Sequence, residues 1–202
     1  MSSQRNVEEA WVWIVRWLGE QAPKSAETLR PGVPKEQITR AEQHLGFPIH
    51  PDLRTLWGLT DGVADDIDTG AGAFLDGYAL MPIDTALELR DDLADSFDGW
   101  GHLWLPITTN EVNEPWMGAT INCDGGRLGA WSMEDEPQTP GGTALAELLG
   151  DVIEALEPGT GRLKPRPGQG GTVPGLADGA LIWADPVDKP ALRFPGWAAL
   201  HP

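Results

Sequence analysis

The side chains able to do chemistry in this chain are four histidines, one cysteine and a large excess of carboxylates. His44, His50, His102 and His201 show no metal-ligand spacing among themselves or with Cys123, so no zinc-type site is expected. Cys123 is a nucleophile only beside a held base, and the sequence places none near it. Read as a calcium loop from Asp66, the acidic stretch has Asp68 third. Gly70 then falls fifth, Ala71 takes the place of the turn glycine and Gly77 that of the closing glutamate, so the pattern fails. Gly168–Gly171 lies in a Pro-rich context rather than between a strand and a helix, and no Walker loop, Gly-x-Ser-x-Gly elbow or dinucleotide fingerprint occurs. The carboxylates are spread widely, and no apolar setting singles out one with a raised pKa. The expectation is therefore no catalytic residue, no metal and no cofactor. A carboxylate-dependent hydrolase is the remote alternative, and it requires a pocket holding a carboxylate with a raised pKa.

What stands out is equipment for binding. Ten tryptophans accompany a single tyrosine, and the formal charge is −17. That charge argues against nucleic acid as a direct partner and favours encounter with a basic one. It is uneven: residues 158–202 hold five basic and three acidic side chains, residues 1–157 nine basic and 28 acidic. Trp57 and Trp131 read as core, whereas Trp100, Trp104 and Trp116 fall in loops or on the off-face of strands and are expected to be exposed. No apolar run approaches the roughly 18 residues a membrane helix needs. With no signal-peptide pattern and one cysteine, a cytoplasmic setting is expected.

The elements that must position these residues follow from periodicity and turn chemistry. Asn6 and Glu9 form a capping box for a first helix whose stripe is Val7, Trp11, Ile14 and Leu18. Trp13 and Trp17 lie beside that stripe, either packed on the body or left as a partner anchor. After a linker from Pro23 to Val33, Pro34–Gly62 reads as two short helices around a proline corner. Ile38, Ala41 and Leu45 face inward, Gly46 is a left-handed C-terminal cap, and Leu53, Leu56 and Trp57 make the second apolar face. Asp61-Gly62 is expected as a turn delivering the acidic loop that follows to the surface. Asp84 is expected to cap a helix presenting Ala86, Leu89, Leu93 and Phe97. A strand over His102–Thr109, bulged or at an edge because of Pro106, precedes strands near Met117–Cys123 and Arg127–Met133 joined by Asp124-Gly125-Gly126. A last helix carries Leu145, Leu148, Leu149, Val152 and Leu156. Residues 158–202, with eight prolines and eight glycines, read as an irregular tail, its Arg162–Gly171 portion mobile and one edge strand at 180–184.

These residues resemble the SUKH superfamily, which includes bacterial toxin-immunity proteins and a fungal cell-wall synthesis regulator. The resemblance rests on Ile38, Ala41, Glu42, Leu45 and Gly46, then Pro48, Pro51, Leu53, Leu56, Trp57 and the closing Asp61-Gly62. The Trp-rich first helix, Leu80–Asp84, Trp104–Ile107 and the late strand Leu128–Ser132 extend it over roughly residues 11–157. After Ile107 the chain departs from the Gly-rich acidic run such proteins commonly carry, with TTNEVNEPWMGAT in its place. The resemblance implies an α+β fold, a mainly antiparallel sheet with helices packed against it and no enzymatic activity. The domain is expected over 1–157, followed by the tail over 158–202.

The expected function is a non-catalytic intracellular protein-binding domain, an immunity protein that neutralises a cognate toxin such as a basic nuclease or deaminase. The alternative is a regulatory or scaffolding module whose Pro-rich tail carries the contacts. The partner-binding residues expected are Asp65, Asp66 and Asp68 of the acidic loop, with Trp100, Trp104, Glu111, Glu114 and Trp116.

Overall fold

The first helix forms where the capping box predicts it. In the computed structural model of the chain, α1 (Val7–Gln21) starts at Asn6, whose side chain accepts the Glu9 N–H at 2.9 Å while Glu9 returns the bond to the Asn6 N–H. The residues described are 6–64, 70–111, 114–135, 142–157, 163 and 171–201. Val7, Trp11, Ile14 and Leu18 are buried as the stripe requires, and Trp13 and Trp17 pack half-buried on the same core.

The stretch expected to be a linker is structured: α2 (Pro23–Glu27) and the short strand β1 (Leu29–Pro31). The proline corner follows as α3 (Lys35–Leu45) and α4 (Pro51–Leu59). Gly46 closes α3 at φ 76°, and the His50 ring accepts the Asp52 N–H at the start of α4. β2 (Thr60–Val63) pairs antiparallel with β1.

Asp61-Gly62 is therefore not a surface turn. Both residues lie inside a fully buried strand, and Asp61 is only 6% exposed. One carboxylate oxygen of Asp61 meets the Arg30 guanidinium at 2.7 Å; the other accepts the Ile83 N–H at 2.9 Å. That N–H opens α5 (Ile83–Ser96), so Asp61 performs the capping expected of Asp84, which instead lies in the first turn. Gly62, at φ 69°, lies against the Met81–Pro82 backbone where a β-carbon would clash.

An antiparallel meander makes the rest of the main layer. β3 (Ala79–Leu80) pairs with β5 (Thr108–Thr109), and β4 (Trp104–Pro106), β6 (Met117–Asn122) and β7 (Leu128–Ser132) run in the order β4-β6-β7. Pro106 marks the irregularity between β4 and β5, and Ile107 bridges the two sheets: it donates to Ala119 and accepts from Met81. α6 (Leu145–Leu156) buries Leu145, Leu149, Val152, Ile153 and Leu156 beside α1. The result is an α+β fold in which every strand pairing among the described residues is antiparallel.

The C-terminal region differs from the irregular tail expected. β8 (Val173–Ala177), β9 (Ala180–Ala184) and β10 (Ala198–Ala199) form their own antiparallel sheet in the order β10-β8-β9. Among the described residues β9 adds to no strand of the main layer. It is held instead by α2: Leu181 donates to the Ser25 hydroxyl at 2.9 Å, Lys24 donates to the Gly179 carbonyl, and the Lys24 ammonium pairs with Asp178. Leu181 and Trp183 lie in the main core. Most of the Arg162–Gly171 stretch lies outside the described residues.

Buried tryptophans join these pieces. Trp57 donates its indole N–H to the Met81 carbonyl, Trp131 to that of Thr108 and Trp183 to that of Phe74, at 2.9 to 3.2 Å. Each places a large apolar body in the core and satisfies its one polar atom on a segment 23 or more residues away in sequence.

Asp61→Ala removes the cap and one partner of the ion pair, a loss of about 2–3 kcal/mol once the half-exposed Arg30 is discounted for solvent screening. The expected melting-temperature drop is about 4–10 °C for a chain of this size. Arg30→Ala should cost less than about 1 kcal/mol. A calorimetric melt of both variants checks the ranking.

Candidate partner-binding site

The expected site residues separate into three groups in space. Asp65, Asp66 and Asp68 lie outside the described residues. The stems of their loop are fixed: Ala64 donates to the Thr28 carbonyl at 2.6 Å, and Gly70 sits beside Ile182 and Phe194 of the C-terminal region.

Trp100, expected to be exposed, is buried at 8% exposure. The chain turns back after α5, with the Trp100 N–H on the Phe97 carbonyl, and this folds the indole into the main core. Its ring N–H finds no partner among the described residues. Trp104 is half-buried against the same core. It pairs with Asn122, at the far end of β6 from Met117, about 20 Å from Trp116 along the strand. Neither residue shares a surface with Trp116.

Glu111, Glu114 and Trp116 lie within six residues of chain. All three are exposed on the loop between β5 and β6, where the backbone is pinned by side chains. Asn110 Oδ1 accepts the N–H groups of both Trp116 and Met117, at 3.2 and 3.1 Å, and the Asn110 N–H donates to the Met117 carbonyl. Thr109 Oγ1 donates to the Glu111 carbonyl at 2.7 Å and accepts the Glu111 N–H. The described parts of the loop are thus held by polar contacts of Thr109 and Asn110, and Glu111, Glu114 and Trp116 are exposed.

Sequence reasoning missed the apolar surface beside the loop. The Met133 N–H donates to the Trp116 carbonyl, and the Tyr78 hydroxyl lies 4.0 Å from Met117 Sδ. Trp116, Met117 and Met133 are 47%, 40% and 37% exposed, so three large apolar side chains meet solvent at one end of the β6–β7 pair. Glu111, Glu114, Glu134 and Asp135, close to them in sequence, are all exposed and none is joined in an ion pair among the described residues. Exposed methionine and tryptophan side chains are the adaptable apolar residues that interface cores favour. The signal for Asn110 was present in the sequence, since an asparagine leading a hairpin loop readily caps it.

The chemistry available elsewhere is sparse. Burial pushes the Cys123 thiol up, against a backbone hydrogen bond from His50 and with the Glu42 charge adding to the rise, so the nucleophilic thiolate is suppressed. Among the described residues no group of three or more His, Cys, Asp or Glu is placed to hold a metal ion. No helix described is long and apolar enough to cross a membrane. Asp76 is the carboxylate whose pKa is raised to about 6; it sits between the turn at Leu75–Tyr78 and the C-terminal region and is bonded to Thr172.

Two comparisons with known proteins bear on this geometry. Residues 32–139 match the family described as SMI1 / KNR4 (SUKH-1). The match contains Asp61, α5 and the whole Trp116 loop, while α1, α2, α6 and the C-terminal sheet lie outside it. No curated protein matches the chain.

Gly118 separates structure from surface here. A β-carbon on it would overlap the Thr108 carbonyl. Gly118→Ala is expected to cost about 1–3 kcal/mol by forcing β5 from β6, whereas Trp116→Ala, at a solvated position, should stay within about 0.5 kcal/mol. Denaturant melts of the two variants read the difference.

Proposed function

We infer that this chain, which belongs to the SMI1 / KNR4 family (SUKH-1), is a non-catalytic binding protein of the immunity type: it neutralises a basic toxin domain in the cytoplasm by occupying its surface. Membership in the family fits an immunity or regulatory protein that works by binding other proteins. The observation that carries the reading is the exposure of Trp116, Met117 and Met133 at one end of the β6–β7 pair, on a backbone held by Asn110, with Glu111, Glu114, Glu134 and Asp135 nearby in the sequence and in no ion pair among the described residues. A pre-ordered aromatic anchor loses little entropy on docking. The net charge of −17 adds long-range attraction for a basic partner such as a nuclease. The acidic loop with Asp65, Asp66 and Asp68 is proposed as a second contact.

Co-expression with a toxin domain encoded beside this gene tests the function. Rescue of growth and co-purification are expected, and failure of both removes the immunity reading. Within the complex, Trp116→Ala should weaken binding by about 30-fold or more, a loss of at least 2 kcal/mol. Glu111→Gln combined with Glu114→Gln should slow association and flatten its salt dependence. Unchanged affinity in both variants moves the contact surface elsewhere.

One observation favours the scaffolding alternative. Val187 and Leu192 are 79% and 84% exposed on short, proline-bounded turns of the C-terminal region. Deleting residues 158–202 does not separate the readings, because it also strips Leu181 and Trp183 from the main core. Val187→Glu with Leu192→Glu does: partner loss in that variant alone supports the scaffold.

A further inference from the structure

β7 is an outer strand of the β4-β6-β7 sheet, so half of its backbone groups face away from β6. Register fixes which half. The Met133 N–H donates to the Trp116 carbonyl and the Asn122 N–H to the Arg127 carbonyl, one bond at each end of the ladder. Bonds in an antiparallel pair recur at alternate residues. Gly129 and Trp131 therefore point their N–H and C=O groups at β6, while Leu128, Ala130 and Ser132 point theirs outward. Leu128 is occupied, its N–H donating to the Thr143 carbonyl at 2.8 Å. Ala130 and Ser132 have no backbone partner on that side among the described residues, and Ala130 is exposed. Such edges are usually blocked, and β1, β4 and β9 are: β1 by a register shift and Pro31, β4 by Pro106, β9 by Ser25, which takes the Leu181 N–H. From Gly129 to Ser132, β7 has neither proline nor charge.

We propose that the Ala130–Ser132 edge of β7 receives an extended, basic segment of the partner protein as an added strand. The occupant is extended backbone because the groups left to satisfy are N–H and C=O groups at strand spacing. It is a basic partner rather than a second copy of this chain. Glu134 and Asp135 follow β7, exposed and in no ion pair among the described residues, and two chains of charge −17 repel each other. Beyond the backbone bonds, the strand gains apolar contact from Met133, the exposed residue that follows Ser132 and is bonded to Trp116 across the pair. That the segment belongs to a toxin rests on the proposed function; the open edge does not.

Amide exchange of the free full-length chain is expected to alternate along β7, with Gly129 and Trp131 protected and Ala130 and Ser132 exchanging near their intrinsic rates. A phage-displayed library of short random peptides, panned on the wild type and on Ala130→Pro, supplies the probe. Ala130→Pro removes an outward N–H without touching the bonds to β6, and Ala130→Val keeps that N–H. The expected result is enrichment of basic, apolar peptides on the wild type, whose binding protects the Ala130 and Ser132 amides. Their affinity should fall about tenfold or more for Ala130→Pro and hold for Ala130→Val. Where Ala130→Pro melts early, the wild-type amides decide. The added strand is overturned by both amides being protected in the free chain, by no enrichment or equal enrichment on Ala130→Pro, by peptides that leave both amides exchanging, or by a homodimer that Ala130→Pro dissolves. A toxin domain that binds while both amides keep exchanging leaves the immunity reading and removes the strand; peptide pairing without rescue of growth does the reverse.

Discussion

The fold hangs on a buried carboxylate. Asp61 lies inside β2, yet one oxygen reaches Arg30 on β1 and the other holds the first N–H of α5. A charge in a strand this buried persists only if its hydrogen-bonding capacity is met. The helix N-terminus is well suited to meeting it, since its N–H groups carry partial positive charge and no intrahelical partner. Three consequences follow from that one contact. α5 starts where it does, β2 stays beside β1, and the Met81–Pro82 backbone is drawn so close that only glycine fits at position 62.

What the sequence made legible was local. The Asn6–Glu9 capping box, the Gly46 cap and the strand pair around Asp124–Gly126 are contacts within a few residues, and each is where the pattern put it. The misses are contacts that cross the chain. Asp84 looked like the cap of α5, but the capping oxygen comes from 22 residues upstream. Asp61-Gly62 had turn composition, yet tertiary satisfaction of its carboxylate overrode that preference. Trp100 sat in a loop and was expected outside, but the chain's return after α5 carried it into the core. The C-terminal prolines and glycines suggested irregularity; strands form there because α2 supplies Ser25 and Lys24 as partners and the core accepts Leu181 and Trp183.

Charge and aromatic residues divide in the same way between building and binding. Four tryptophans, Trp57, Trp131, Trp183 and Trp197, donate their N–H groups to backbone carbonyls and join segments distant in sequence. Trp116 is of the other kind: its backbone is held by Asn110 and its ring faces solvent. Likewise Asp61 and Glu42 are satisfied by backbone N–H groups and arginines, whereas Glu111, Glu114, Glu134 and Asp135 are exposed and in no ion pair among the described residues. A net charge of −17 works against compactness through self-repulsion.

The central claim is that partners dock at the Trp116 end of the β6–β7 pair. Hydroxyl-radical footprinting of the chain in complex with a protein it co-purifies with tests it most directly, because methionine and tryptophan are among the side chains that oxidise most readily. Oxidation of Trp116, Met117 and Met133 is expected to fall sharply on complex formation while Val187 and Leu192 keep the labelling of the free chain. Unchanged oxidation at Trp116, Met117 and Met133 in the intact complex would contradict it.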